Sequence, residues 1–237
     1  MLESGRPAQA FLAGNGQLEF NSHPFRPEIV SFMDDIEFSA FLVSRVCHDL
    51  VGPLGAVVNG LEVMEDERDA TMRADALKIV SSSALQALAR LQFMRIAFGA
   101  AGSAGAELDI GEVGRLVGGL LDGGKIQLDW QSPRVNWPKD WAKLLMNATL
   151  LCADCLPRGG QLKVTTSADP ATPAFKITAT SPHARALDDV QKAVKGEAAD
   201  QLDARGIQPY LTHRLSRSLN AGLTLTVGEG VVELTAG

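Results

Sequence analysis

The sequence predicts an α+β fold: an antiparallel helical hairpin over residues 28–100, then an α/β sandwich over 107–237. Three observations predict it. Two long stretches, about Pro27 to Glu67 and Ala70 to Phe98, carry helical apolar spacing and are parted only by the charge cluster Glu65-Asp66-Glu67-Arg68-Asp69. After residue 107 the pattern changes to short alternating strands set between helices. The chain then closes on a strand–turn–strand, Leu223 to Val227 and Val231 to Leu234, around Gly228-Glu229-Gly230.

In chain order, residues 1–27 are punctuated by Gly, Asn and Pro without sustained periodicity and read as a flexible tail, with Met33 an alternative start. The short link between the two long helices makes them antiparallel. Two amphipathic helices cannot close a core alone, so their apolar stripe calls for a second copy of the hairpin, giving a homodimeric four-helix bundle. A Gly/Ala/Ser stretch from Gly99 to Ala106 leads out of the hairpin. The second part reads as helix Ile110 to Leu121, strand Ile126 to Trp130, and helix Lys139 to Leu156. Strands Gln161 to Thr166 and Phe175 to Thr180 follow, then helices Ala186 to Val194 and Ile207 to Leu219, before the closing hairpin. There are no internal repeats.

Of the 237 residues 46% are apolar and 21% charged, enough for a real core and too much for wholesale disorder. Twenty-two basic against 28 acidic residues give a net charge of −6, so a fold-wide basic footprint is absent and no nucleic-acid partner is expected. Three cysteines, Cys47, Cys152 and Cys155, make no disulfide framework and point to a reducing cytoplasm. No signal peptide is legible, and the best apolar run, Leu144 to Ala153, is interrupted by Asn147 and Thr149. The reading is therefore a soluble cytoplasmic protein with no membrane partner.

His48 stands out on the first helix. At about 100° per residue, Val43, Val46, Leu50, Leu54, Val57, Leu61 and Met64 fall roughly 160–240° away from it, and Ser44, Arg45, Gly52 and Gly55 within about 60°. The imidazole thus centres an exposed face of small and polar neighbours. Neutral imidazole, with a pKa near 6.5, can attack a phosphoryl group and hold it as a phosphoramidate. Arg45, one turn earlier, can offer its guanidinium to phosphate oxygens. Asp49 can orient the ring or take a proton, and Gly52 and Gly55 leave room for another protein's backbone. Pro53 lacks the N–H for the next helical bond and should bend the helix below the site. A merely solvated surface histidine fits the same geometry. His23, His183 and His213 have no such surroundings.

The run Ser44-Arg45-Val46-Cys47-His48-Asp49-Leu50-Val51-Gly52-Pro53-Leu54 resembles the H-box of two-component signalling proteins. With Asn59-Gly60-Leu61-Glu62-Val63-Met64-Glu65-Asp66 and Leu91-Gln92-Phe93-Met94-Arg95-Ile96-Ala97-Phe98-Gly99-Ala100, it is similar to the ChpT-type histidine phosphotransferases of alphaproteobacteria. The resemblance implies that His48 is a phosphoacceptor assisted by Arg45 and Asp49, and that Ser44, Gly52, Gly55 and Asn59 meet a receiver domain. It also implies a homodimer in a multi-step, cell-cycle phosphorelay. Phosphoryl groups would arrive from the receiver aspartate of a hybrid kinase and leave to response regulators of the CtrA type and a single-domain receiver. The receiver supplies magnesium, so no cofactor of its own is implied.

The same resemblance makes the second part a degenerate Bergerat-like ATPase domain. A kinase places a magnesium-binding Asn eight residues before the Gly-Gly turn, where this chain has Leu151 before Gly159. Thr180-Ser181-Pro182-His183-Ala184-Arg185 stands where a D-x-G-x-G box belongs, and the later glycine-rich phosphate loop retains only Gly206. ATP-dependent kinase activity is accordingly not expected. Two other readings stay open: a non-catalytic dimeric module that sequesters a kinase or receiver, and an active histidine kinase with a divergent ATP site.

Other motifs have structural readings. Gly119 to Lys125 spells G-x-x-x-x-G-K but ends a helix and precedes a strand, the reverse of a phosphate loop. Cys152 and Cys155 lack the second pair that a zinc site needs, and Cys47 belongs at a packing edge. Trp130, Trp137 and Trp141 read as core. Arg158, Arg185, Arg205, Arg214 and Arg217 include candidates for an acidic receiver, although solvated faces account for most.

Overall fold

The computed structural model describes residues 11–12, 18–19, 34–99, 106–197 and 206–237. The chain divides into two units, Met1–Ser31 and Phe32–Gly237. In the first, β1 (Phe11–Leu12) pairs antiparallel with β2 (Leu18–Glu19), a pairing the reading of a featureless tail did not contain. The rest of residues 1–27 lies outside the described residues.

In the second unit, α1 (Asp35–Asp66) begins later than the expected Pro27, because Asp34 caps it: the carboxylate accepts from Ile36 N at 3.1 Å. Pro53 lies within the helix, which continues through it. α1 ends at Glu67, whose side chain accepts from Arg68 N and Asp69 N at 2.8 and 2.9 Å. Asp69 in turn caps α2 (Ala70–Ala97), accepting from Thr71 N and Met72 N. From α2, Arg73 reaches back to the carbonyls of Met64 and Glu67, groups left unpaired by the end of α1. Three residues therefore suffice to turn the hairpin. The helices approach closely where residues are small: Gly60 is buried, and a Cβ there would lie 2.6 Å from Val80 Cγ2.

The predicted apolar stripe of α1 is only partly covered within the chain. Val46, Leu50, Val57 and Met64 are half-buried, whereas Val43, Leu54 and Leu61 are exposed. On α2 the buried positions Ala76, Ser83 and Ala87 are small, and Leu77, Leu88 and Leu91 stand in solvent. By length and composition α1 passes as a membrane-crossing helix, although it lacks an unbroken apolar run. Any 18-residue stretch of its 32 residues contains Asp49.

The sandwich follows. β3 (Glu107–Asp109) pairs antiparallel with β5 (Asn136–Pro138), a small sheet not legible from the pattern. Asp109 caps α3 (Ile110–Leu121), and Gly123, in left-handed conformation at φ 70°, turns the chain toward the next strand. Strands β4 (Ile126–Gln131), β6 (Gly160–Thr166), β7 (Phe175–Thr180), β8 (Thr224–Gly228) and β9 (Val231–Ala236) form one sheet in the order β4-β6-β7-β9-β8. β4 and β6 are parallel, joined through α4 (Lys139–Asp154), and the other pairs are antiparallel. Leu162, Val164, Ile177, Ala179, Val232 and Leu234 alternate inward, so one sheet face carries the core. The helices α5 (Asp188–Lys195) and α6 (Ile207–Ser218) complete the layer. Phe93, Met94 and Ala97 belong to the same core, which roots the end of α2 in the sandwich.

Candidate active site

His48 sits midway along α1 with 77% of its side chain exposed. Its Nδ1 lies 3.1 Å from Asp49 Oδ1. A hydrogen bond to the carboxylate there puts the proton on Nδ1 and leaves the lone pair on Nε2. Of the two roles considered for Asp49, orienting the ring is the one this geometry serves. Ser44, Gly52, Gly55 and Asn59 are exposed on the helix, and a Cβ at Gly52 or Gly55 would meet nothing within 4 Å. The chain itself gives those glycines no steric reason to be glycine.

The Arg45 guanidinium is partly engaged: Nε donates to Asp49 Oδ2 at 2.8 Å, and Nη2 to Asp154 Oδ2 at 3.3 Å. Only 13% of the side chain is exposed. Burial opposes its charge, but Asp154 and Asp49 outweigh that together and raise its pKa further. The Asp154 carboxyl is raised by desolvation, opposed by Arg45 and reinforced by Asp49. Its side chain still keeps about half its surface in solvent.

Beside His48 opens a cavity of about 620 Å³ between α1 and the sandwich. Arg45, Asp49 and Asp154 line it together with Arg185, Leu187 and Pro209. Leu151 lines it too and is only 1% exposed, an apolar side chain with no oxygen to offer a cation. Cys152 and Cys155 are buried and unpaired; burial raises both thiols, Cys155 to about 12, as suits packing residues. Cys47 is exposed rather than at a packing edge, because α1 leaves that flank uncovered. Trp137 is fully buried and Trp130 and Trp141 pack on the same core, as expected. Arg158 lies 3.2 Å from His183 and Arg214 pairs with Asp35, while Arg205 lies outside the described residues.

Three functional-looking residues escaped the sequence reading. Asp154 is the first. The others are Asn147 and Gln208, both fully buried: Asn147 donates to Ala97 O and Lys143 O at 2.9 Å, and Gln208 Nε2 donates to Asn147 O at 2.7 Å. The partners that tie them to other elements are 50 to 109 residues away, so no local spacing signals them.

Residues 110–230 match the family described as "Histidine phosphotransferase C-terminal domain", which puts the protein in the class of histidine phosphotransferases. The chain is 37% identical over 193 residues to Protein phosphotransferase ChpT of Brucella abortus (strain 2308), covering 81% of this chain and 90% of that protein. A solved structure titled "1.7 Angstrom Structure of a Bacterial Phosphotransferase" superposes with a TM-score of 0.78 at 33% identity, covering 86% of this chain and 98% of that one. The chain belongs to the ChpT family and is a phosphotransferase.

Proposed function

We propose that His48 is the phosphoacceptor of a multi-step phosphorelay, taking a phosphoryl group from the receiver aspartate of a hybrid kinase and passing it to the aspartate of a response regulator. The observation that carries this reading is the largely exposed imidazole whose Nδ1 is engaged by Asp49, which leaves Nε2 as the ring nitrogen available to attack. Nε2 attacks the aspartyl phosphate in line, the N–P bond forms, and the P–O bond breaks with its electron pair returning to the donor carboxylate. The second transfer runs the same exchange in reverse. Positioning and charge carry most of such a step.

The open surface over Ser44, Gly52, Gly55 and Asn59 is the docking face in this reading, and the receiver brings the magnesium. The downstream receivers are of the CtrA type and a single-domain kind, on the strength of family resemblance. The exposed apolar band of Val43, Leu54 and Leu61 with Leu77, Leu88 and Leu91 is covered by a second hairpin in a homodimeric four-helix bundle. ATP is not used: Leu151 stands at the position of the kinase asparagine. We place the protein in the cytoplasm, where its reduced cysteines and partner receivers belong.

Substitution His48→Ala tests the acceptor directly. The exposed ring contributes little to stability, so the variant keeps the wild-type melting temperature and takes up no phosphoryl group from a phosphorylated cognate receiver. Uptake at the wild-type rate removes His48 from the mechanism.

A further inference from the structure

The two oxygens of Asp49 have different partners. Oδ1 faces His48 Nδ1 at 3.1 Å, and Oδ2 accepts from Arg45 Nε at 2.8 Å. Arginine and carboxylate prefer a two-bonded fork, so a guanidinium free to turn would take both oxygens and pull Asp49 off the ring. The guanidinium is not free to turn, because Asp154, the last residue of α4, holds Nη2 at 3.3 Å. The sandwich thus reaches the imidazole through a chain of three side chains, two of them only 13% and 11% exposed.

We propose that Asp154 is a positioning residue for His48, acting through Arg45 and Asp49 to keep the proton on Nδ1 and the Nε2 lone pair open. This rests on reading His48 as the phosphoacceptor. Charge favours the same arrangement. When Nε2 attacks, the N–P bond forms, the P–O bond of the acyl phosphate breaks toward the donor carboxylate, and the ring keeps its Nδ1 proton and turns cationic. Asp154 adds a negative charge to the neutral pair of Arg45 and Asp49, and Arg90 offsets part of it. Arg90 of α2 also faces Asp154, and Arg185 and Asp189 line the neighbouring cavity. An Asp154→Asn substitution leaves all of these unchanged.

The test is nitrogen NMR of the full chain with 15N-labelled histidine, beside phosphoryl uptake from a phosphorylated cognate receiver. In the wild type His48 shows the Nδ1–H tautomer. In Asp154→Asn the signal moves toward the Nε2–H tautomer and uptake slows about tenfold, the effect of losing roughly one charge-assisted hydrogen bond. Receiver affinity and melting temperature hold, and Asp154→Glu restores both readouts. Asp154→Ser carries the same test if the asparagine variant does not fold. A wild-type tautomer in a folded variant lacking the carboxylate overturns the proposal. Failure of the wild type itself to accept phosphoryl overturns the acceptor reading instead, and the tautomer measurement still decides the role of Asp154.

Discussion

The side-chain amide of Asn147 donates to the main-chain carbonyl of Ala97 at 2.9 Å, tying the last residue of α2 to the middle of α4. A helix end leaves its final carbonyls unpaired, and here one of them becomes the joint between hairpin and sandwich. Gln208 and Thr212 of α6 extend the network, which is buried throughout. The joint matters for His48 because the pairing of Arg45 with Asp154 spans the same two bodies.

Asn147→Leu removes that joint and leaves buried polar groups without partners. The expected cost is about 1–3 kcal/mol, and the melting temperature falls by about 2–4 °C for each kcal/mol in a chain of this size. Calorimetry measures it; an unchanged melting temperature would show that the network is not structurally coupled.

The uncovered apolar band predicts a dimer. Light scattering at micromolar concentration gives twice the chain mass. Burying a leucine from half exposure is worth roughly 1 kcal/mol, so Leu61→Glu with Leu88→Glu weakens the dimer and shifts the mass toward one chain. A wild-type monomer would contradict the bundle.

Gly55→Arg separates docking from folding. Nothing in the chain lies within 4 Å of a Cβ at this position, and replacing a helical glycine adds about 0.5–1 kcal/mol of helix stability. The variant is therefore at least as stable as the wild type and still dimeric, while its receiver affinity, read by calorimetric titration, falls more than tenfold. Unchanged affinity would put the docking face elsewhere.

Glu67 gives the hairpin turn a pH dependence. Hydrogen bonds from Asp69 N and Arg68 N hold its pKa below the ordinary value. A depressed carboxyl stabilises the fold while ionised, so its contribution is present above the unfolded pKa, near about 4.3, and is lost as pH falls below it. Glu67→Gln lowers the melting temperature at pH 7, and the difference from wild type shrinks under acid. A difference independent of pH would contradict the role.

Much of this was legible locally. Helix Ile110–Leu121 and strand Phe175–Thr180 have the bounds the pattern indicates, the helix lying between the Asp109 cap and the Gly123 turn. The exposure of His48 followed from helical geometry alone. The start of α1 did not, because Asp34 rather than Pro27 supplies the cap. β3 and β5 are three residues each and exist only by pairing with each other, too short for any periodicity. The pairing of Arg45 with Asp154 was not legible for a related reason: Asp154 comes from a distant helix, and only the tertiary fold brings the two together.

The central claim is that phosphoryl groups reach His48 from a receiver and not from ATP. The purified protein is mixed with a labelled phosphorylated receiver domain and, separately, with labelled ATP and magnesium. Label moving to His48 from the receiver but not from ATP is the predicted result. Label arriving directly from ATP would make the protein a kinase, and none from either source, with a receiver proven to bind, would make it a silent binding module; each contradicts the account.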